Sequence, residues 1–426
     1  MLQEIMESIK HALSEPTIDS LTHKEKENIY DLAYQHIEDY MSHNLFFMKK
    51  PNFHNDLNDS ILEILQNICE NIYNEELEEE LRVIVQKACR TYFSHVLPRR
   101  SYSKTFVKPR VHKKKIAEII DKLRAVPQHE QRTREWYEDR WNMISASSAW
   151  KALASEAHKN SIIYEKCTPL NTEKYTSVNV DSPFHWGQKY EPLSVQIYEK
   201  RYNTKVEDFG CIPHPDYPNA GASPDGINTD SNSTRYGRML EVKNRFSESV
   251  PITGNPKEEY WIQMQMQMNV CDLNECDFLE TRFKEYQTYN DFYADGSDFK
   301  TTADGKLKGI YLCFQKDGMP HYEYPELDLS QEDFEIWQEN IRNEKEKEGY
   351  EWISCIYWYL DKYSCVLVFR NRKWFDIAIK QINEVWNTIL KERVTGYEHR
   401  APNRRVRKIS DPSKATCLID VNLLKI

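Results

Sequence analysis

The sequence predicts an α/β protein in which a mixed sheet flanked by helices follows an all-helical N-terminal part. Residues 1–97 contain only apolar patterns of helical spacing, whereas helical and strand-like patterns alternate from residue 116 onward. The intervening stretch is strongly basic and contains two prolines. These composition changes predict an acidic helical domain at 1–97, a basic linker at 98–115, a mixed domain at 116–395 and a basic tail at 396–426.

The composition of the 426 residues is that of a soluble globular protein, with 40% hydrophobic and 29% charged residues. No apolar run approaches the roughly 20 residues that a membrane span needs. Glu4 and Glu7 stand where a signal peptide would have basic residues, so we expect an intracellular, cytoplasmic protein. The ten cysteines form no CxxC pair, which favours reduced thiols over disulfides or zinc ligands.

The net charge of −10 does not exclude nucleic acid as a partner, because the charge is unevenly distributed. Residues 1–97 hold 8 basic and 18 acidic residues, and the rest of the chain is neutral. Local fields, rather than the total charge, steer a polyanion. The basic stretch at 98–115, with Tyr102 and Phe106 among its lysines and arginines, is either a nucleic-acid contact or a solvated linker.

Apolar spacing and turn signals predict the individual elements. Thr22 and Glu25 form a capping box that begins the first regular helix. Asp361-Lys362-Tyr363 is expected to close a β-hairpin between strands at 351–360 and 364–370. In the mixed domain the pattern predicts helices at 116–125, 134–154, 185–202, 256–270 and 373–393, and strands at 238–244, 276–284 and 307–315.

One group of charged residues suggests chemistry. Asp225 lies in a Pro-Asp-Gly turn, and Glu241 and Lys243 alternate along a strand, so their side chains share one face. If a second strand brings Asp225 alongside, two carboxylates and an ammonium group converge. Such a set suits metal-assisted phosphodiester hydrolysis, with the Val242 backbone carbonyl as a further ligand. Taken alone, the fragment is better explained as a surface Glu–Lys pair on an edge strand beside an ordinary turn, because the Glu-x-Lys pattern is very common.

Neighbouring motifs favour the chemical interpretation. They are RWNMISASS from Arg140, WGQKYE from Trp186, SPDG with the Glu-x-Lys strand, and YWIQMQ from Tyr260. In this order the motifs resemble the YqaJ viral recombinase, or lambda-type exonuclease, family of PD-(D/E)xK nucleases. The resemblance covers roughly residues 130–290, and the first 115 residues lie outside it.

The resemblance implies a restriction-endonuclease-like mixed sheet and a set of site residues. Asp225 and Glu241 would bind divalent metal, Mg²⁺ or alternatively Mn²⁺, and Lys243 would be the catalytic lysine. Glu191 would lie near the metals and Gln263 would line the active site. The residues implied to hold a terminal 5′-phosphate are Arg140, Ser147 and Ser223. Fifteen residues separate Asp225 from Glu241, which predicts a protruding polar loop between them.

The implied activity is 5′-to-3′ digestion of linear double-stranded DNA during recombination, replication or repair of DNA ends. One alternative keeps the chemistry in an endonuclease or flap nuclease. Another is a catalytically silent DNA-binding scaffold, which the complete Asp225, Glu241 and Lys243 set argues against. Duplex DNA ends are the implied partner; the resemblance leaves open a single-strand annealing protein and a homo-oligomer. No membrane partner is expected.

Overall fold

The computed structural model describes residues 21–50, 52–69, 75–97, 112–129, 131, 133–171, 179–180, 182–296 and 298–402. Most of the basic linker (98–111) and most of the basic tail (403–426) therefore lie outside the described residues. In the described part of the chain, no helix is long and apolar enough to cross a membrane.

Helices form both the N-terminal region and the two faces of the sheet. Within the described residues they are α1 (His23–Asn44), α2 (Phe53–Ile68), α3 (Glu75–His95), α4 (Lys113–Ala125), α5 (Arg134–Trp141), α6 (Ala146–Leu153), α7 (Glu156–Cys167), α8 (Pro183–Tyr202), α9 (Glu258–Val270), α10 (Tyr289–Ala294), α11 (Gln331–Lys347) and α12 (Arg372–Thr395).

The N-terminal region is all-helical, as predicted. The capping box of Thr22 and Glu25 begins α1, and both reciprocal hydrogen bonds are present. The apolar faces of α1, α2 and α3 pack together around a hydrophobic cluster of their own. A short 3-10 helix (Leu45–Lys49) follows α1 and contacts α9 and α12 of the mixed region. The boundary at residue 97 stays a prediction.

The strands form two sheets, and the α/β class is confirmed. They are β1 (Ile144–Ser145), β2 (Val206–Glu207), β3 (Ile212–Pro213), β4 (Ala220–Ala222), β5 (Gly226–Asn228), β6 (Met239–Asn244), β7 (Glu275–Glu285), β8 (Lys308–Lys316), β9 (Met319–Glu323) and β10 (Glu351–Phe369). The larger sheet has the order β2-β5-β6-β7-β10-β8-β9, with β6 and β7 parallel and the other neighbours antiparallel. The smaller sheet has the order β1-β4-β3.

The predicted hairpin at Asp361-Lys362-Tyr363 is wrong. These residues lie inside β10, a continuous strand that pairs with β8 through its first half and with β7 through its second half. The irregularity at Asp361 is a bulge, because the register with β7 shifts between Leu360 and Lys362. The Asp361 carboxylate lies 3.5 Å from the Lys306 ammonium, so a charge that suggested a turn is instead compensated within the sheet.

The predicted continuous helix at 134–154 is also wrong, and the break matters for the site. Helix α5 ends at Trp141, and the two residues of β1 then pair in parallel with Ala220 and Gly221 of β4. Helix α6 begins immediately afterwards. The break therefore turns the chain so that the serines at the start of α6 face the end of α5.

The polar loop between β5 and β6 protrudes only at its tip. Ser231 and Asn232 are exposed, whereas Arg235 folds back toward the sheet. The Arg235 guanidinium pairs with the buried Asp277 carboxylate of β7 and stacks 3.4 Å from the centre of the Tyr202 ring. This anchor holds the loop against the sheet and leaves β5 and β6 in tight register.

Candidate active site

The site is built on the antiparallel pair β5 and β6. Gly226 pairs with Leu240 and Ile227 with Met239, so Asp225, one residue before β5, stands beside Glu241. The Val242 backbone N–H donates a 2.7 Å hydrogen bond to Asp225 Oδ2 and fixes that carboxylate against β6. Leu240 and Val242 pack into a hydrophobic cluster on the other face, as the alternation along the strand predicts.

The Glu241 carboxylate is fully buried and completely engaged on both oxygens. Its Oε1 accepts a hydrogen bond from the Lys243 ammonium. Its Oε2 accepts hydrogen bonds from the side-chain amides of Gln263 (3.0 Å) and Gln267 (2.7 Å), which lie one turn apart on α9. A buried charge is tolerated only when it is paired and hydrogen-bonded, and this helix supplies the two neutral donors.

The neighbourhood of Asp225 carries an excess of negative charge. Burial raises the pKa of Asp225, the Glu241 and Glu191 carboxylates raise it further, and Lys243 and the Val242 N–H only partly offset them. The pKa of Asp225 therefore lies well above its ordinary value. Glu191, on α8, lies within electrostatic reach of Asp225, and its place beside a metal ion stays a prediction.

Lys243 is held protonated in this environment. Burial lowers its pKa, but the Glu241 and Asp225 carboxylates outweigh burial and raise the pKa above that of an ordinary lysine. The ammonium group also lies 5.0 Å from the centre of the Tyr260 ring. Lys243 is therefore a hydrogen-bond donor and a fixed positive charge, with 23% of its side chain exposed for contact with a substrate.

The oxygen donors at this place suit a hard divalent cation. Carboxylate and carbonyl oxygens are the ligands that Mg²⁺ and Mn²⁺ prefer. The raised pKa of Asp225 reflects burial first and repulsion from the Glu241 and Glu191 carboxylates second, and such a cation would relieve the repulsion. In the portion of the chain that the structure describes, however, no group of three or more His, Cys, Asp or Glu side chains is arranged to hold a metal ion by itself.

A second cluster lies where α5 meets α6. Arg140, at the end of α5, donates a 3.0 Å hydrogen bond to Ser147 Oγ and stacks 4.5 Å from the Trp136 ring centre. The side chains of Ser145 and Ser148 join this network through hydroxyl contacts of 3.1–3.3 Å. They line an open pocket of about 630 Å³ that also contains lysines. Phosphate oxygens accept hydrogen bonds from arginine and hydroxyl groups such as those in this pocket.

Ser223 lies near this pocket but outside its lining. Its Oγ is buried and has no hydrogen bond of ordinary geometry with the described residues. The Cys211 thiol interacts with Ser223 and lies within electrostatic reach of Arg140, so Ser223 is in the same neighbourhood. The structure thus brings Arg140 and Ser147 together directly, and Ser223 beside them.

Three further side chains belong to these clusters and were not assigned a role from the sequence. Gln267 was recognisable from its spacing of four residues from Gln263, which places both amides on one helix face. The Tyr260 ring under Lys243 lies in the same motif. Lys166, on α7, gave no signal: it is buried in the pocket wall, donates to the Arg140 carbonyl, and burial lowers its pKa to about 8.

The raised pKa of Asp225 predicts a pH-dependent gain in stability for Asp225→Asn. Because the folded protein binds this proton more tightly than the unfolded chain does, the stabilising contribution is present at low pH and is lost as pH rises through the folded pKa. We therefore expect the variant, measured in EDTA, to unfold roughly 2–4 °C above wild type at pH 8 and with a smaller difference near pH 5.

The matched control is Asp230→Asn, which removes a carboxylate from the neighbouring loop. Asp230 is partly exposed, and its Oδ1 accepts a hydrogen bond from the Asn232 backbone N–H, a bond that asparagine keeps. Thermal unfolding followed by circular dichroism measures both variants. A loss of stability at pH 8 for Asp225→Asn, or a gain equal to that of the control, would contradict the excess of negative charge.

Comparison with known proteins agrees with the motifs. The chain matches an uncharacterized protein of Acanthamoeba polyphaga mimivirus with 28% identity over 313 residues, covering 64% of this chain and 54% of the relative. It thus spans about half the length of the curated relative that it matches.

Solved structures that resemble the chain include an alkaline exonuclease from Laribacter hongkongensis, alone and in complex with dAMP, and a phage-related exonuclease from Haemophilus somnus. Sequence identities are 17%, 19% and 11%, and TM-scores are 0.37, 0.34 and 0.32. The likenesses cover 61%, 63% and 59% of this chain and 94%, 95% and 96% of those chains. Residues 135–274 match the model of the YqaJ-like viral recombinase domain, the family that the four motifs resemble.

Proposed function

We propose that the protein is a metal-dependent DNA exonuclease that digests linear double-stranded DNA from its 5′ ends. The observation that carries the proposal is the meeting of Asp225, Glu241 and Lys243 on the adjoining strands β5 and β6. An acidic pair beside a buried ammonium is the donor set that phosphodiester hydrolysis with a divalent cation requires. The match to the YqaJ-like viral recombinase domain supports DNA as the substrate.

Asp225 and Glu241, with the Val242 backbone carbonyl, would hold Mg²⁺ or Mn²⁺. When bound, the cation supplies Lewis-acid polarisation of the phosphoryl oxygens and a lowered pKa for a coordinated water. Gln263 and Gln267 orient the Glu241 carboxylate through its Oε2 atom. Glu191 adds negative charge on the Asp225 side, which strengthens the preference for a cation there.

Lys243 acts as a donor rather than as a base, because its pKa is raised and its Nζ keeps the proton. Its ammonium group orients the attacking water and stabilises negative charge that develops on the phosphoryl oxygens. The Glu241 carboxylate and the Tyr260 ring hold the Lys243 ammonium group in position.

The pocket at Arg140 supports recognition of a phosphorylated 5′ end. Arg140 and the hydroxyls of Ser147 and Ser148 offer a cationic fork and short hydrogen bonds, and Ser223 lies close by. A phosphate bound beyond the scissile bond would favour terminal over internal cleavage. This pocket favours an exonuclease over the alternative of an endonuclease or flap nuclease that uses the same carboxylates.

The biological role that fits this activity is preparation of DNA ends for recombination, replication or repair. Digestion of one strand leaves a 3′ single strand, which an annealing protein would take up. The annealing partner and a DNA-encircling homo-oligomer are proposals that rest on the resemblance to the family.

Digestion of end-labelled linear duplex in Mg²⁺, Mn²⁺ or EDTA tests the proposal directly. We expect release of 5′-labelled mononucleotides from linear DNA with either metal, no release in EDTA, and no cleavage of a covalently closed circle. Cutting of the circle would favour the endonuclease alternative. DNA binding without release of label under any metal would favour the silent scaffold.

Lys243→Ala is expected to reduce the metal-dependent rate by about 10²–10³-fold, because a fixed positive charge at the reacting phosphate is lost. Binding of DNA ends, measured by fluorescence anisotropy, should be largely retained. The control is Lys205→Ala, which removes a lysine whose side chain is 77% exposed. Full activity of Lys243→Ala in a folded protein would remove the proposed mechanism.

Arg140→Ala is expected to slow digestion of 5′-phosphorylated ends by about tenfold or more and to affect 5′-hydroxyl ends much less, since a charge-assisted contact to the terminal phosphate disappears. Initial rates on the two substrates provide the measurement. Arg134→Ala is the matched control, because Arg134 lies on the same helix and its side chain is 75% exposed. Equal slowing on both kinds of end would count against a phosphate pocket.

A further inference from the structure

The 3-10 helix after α1 inserts a lysine between the N-terminal helices and the nuclease core. Lys49 is 7% exposed although it lies on a connecting segment. Its Nζ donates a 2.8 Å hydrogen bond to the Leu153 carbonyl and lies 3.4 Å from the Glu258 carboxylate. The Phe46 ring, 4.2 Å from the ammonium at its centroid, packs against the core of the mixed region.

The two partners of Lys49 lie at the ends of the two helices that carry the site. Leu153 is the last residue of α6, whose first turn presents Ser147 to Arg140. Glu258 is the first residue of α9, which presents Gln263 and Gln267 to Glu241. The two helices also pack against each other.

Burial lowers the pKa of Lys49, and the Glu258 carboxylate offsets part of that effect. The last carbonyls of a helix have no intrahelical partner and carry partial negative charge, so a cation beside the Leu153 carbonyl is stabilising. The first turn of a helix carries partial positive charge, and the acidic Glu258 complements that charge at the start of α9. Lys49 therefore bridges two helix ends, each of which is matched in charge.

Both helices are short and rigid enough to transmit a shift. The eight residues of α6 span about 12 Å, so a tilt at Leu153 moves the serines at its other end. Gln263 lies only five residues after Glu258 on α9. A small displacement of either end changes the distance between the Arg140 pocket and the Glu241 carboxylate, and misplacement by about 1 Å is costly in catalysis.

We propose that Lys49 is a positioning residue for the nuclease: by joining the end of α6 to the start of α9, it sets the spacing between the phosphate pocket and the catalytic carboxylates. The N-terminal helical region then contributes to the geometry of the active site rather than being an independent module. The inference rests on the proposed function, but the bridge itself is testable without activity.

The test compares full-length Lys49→Met, which keeps the apolar stem and removes the charge, with Lys49→Arg and with Lys50→Met. Lys50 is the exposed neighbour, whose ammonium lies over the Phe47 ring. Hydrogen–deuterium exchange reports the bridge. We expect Lys49→Met to speed exchange at the end of α6 and the start of α9, while β6 and β7 stay as protected as in wild type and in Lys50→Met.

Kinetics on linear duplex reports the spacing. We expect Lys49→Met to lower kcat about tenfold. We also expect it to reduce the ratio of the rate on 5′-phosphorylated ends to the rate on 5′-hydroxyl ends. Lys49→Arg should restore most of both, since its guanidinium reaches the same carbonyl and carboxylate. A merely structural role would lower the amount of active protein equally for both kinds of end and leave their ratio unchanged.

Besides an unchanged ratio between the two kinds of end, two further results overturn the inference. One is exchange in Lys49→Met that rises only within residues 21–50, with α6 and α9 unaffected. The other is an unchanged kcat and end preference while exchange at the two helix ends rises. If the wild-type protein digests no DNA, the proposed function fails on that result alone, and the exchange experiment still decides whether Lys49 bridges the two helices.

Discussion

The register between β5 and β6 is the constraint on which the rest of the site depends. A one-residue slip would point the side chains of Glu241 and Lys243 toward the apolar cluster. It would also place Leu240 and Val242 on the face where Glu241 and Lys243 now lie. The hydrogen bond from the Val242 N–H to Asp225 exists only in the observed register. The Arg235 anchor to β7 maintains that register although a long loop joins the two strands.

Helix α9 converts this strand pair into a usable site. A buried glutamate beside a second carboxylate is unfavourable, and the two glutamine amides together with the lysine satisfy it on both oxygens. All other faces of α9 are buried as well, so the helix cannot rotate without disturbing the core. Its methionines fill that core, Gln263 and Gln267 face Glu241, and Gln265 on another side of the helix bonds the Phe369 carbonyl and the Asn371 N–H before α12.

Sequence patterns predicted the parts of the fold that local chemistry determines. The alternation in β6 correctly separates its charged and apolar faces, and the capping box locates the start of α1. Three features were not predicted from the sequence because they depend on contacts between residues far apart in the chain. The break after Trp141 is stabilised by pairing with β4, the bulge at Asp361 by charges on neighbouring elements, and the burial of Lys49 by the ends of two later helices. The chemical roles assigned from motifs stay predictions, although the side chains concerned lie together.

The long strand β10 also constrains how the newly made polypeptide acquires its shape. During synthesis, β6 and β7 are complete well before β10 leaves the ribosome, so one apolar edge of β7 has no backbone partner in the meantime. The same strand then closes both β7 and β8 in a single step. Until residues 351–369 emerge, that open edge can pair with a strand of another chain, so fragments that end before β10 are expected to aggregate.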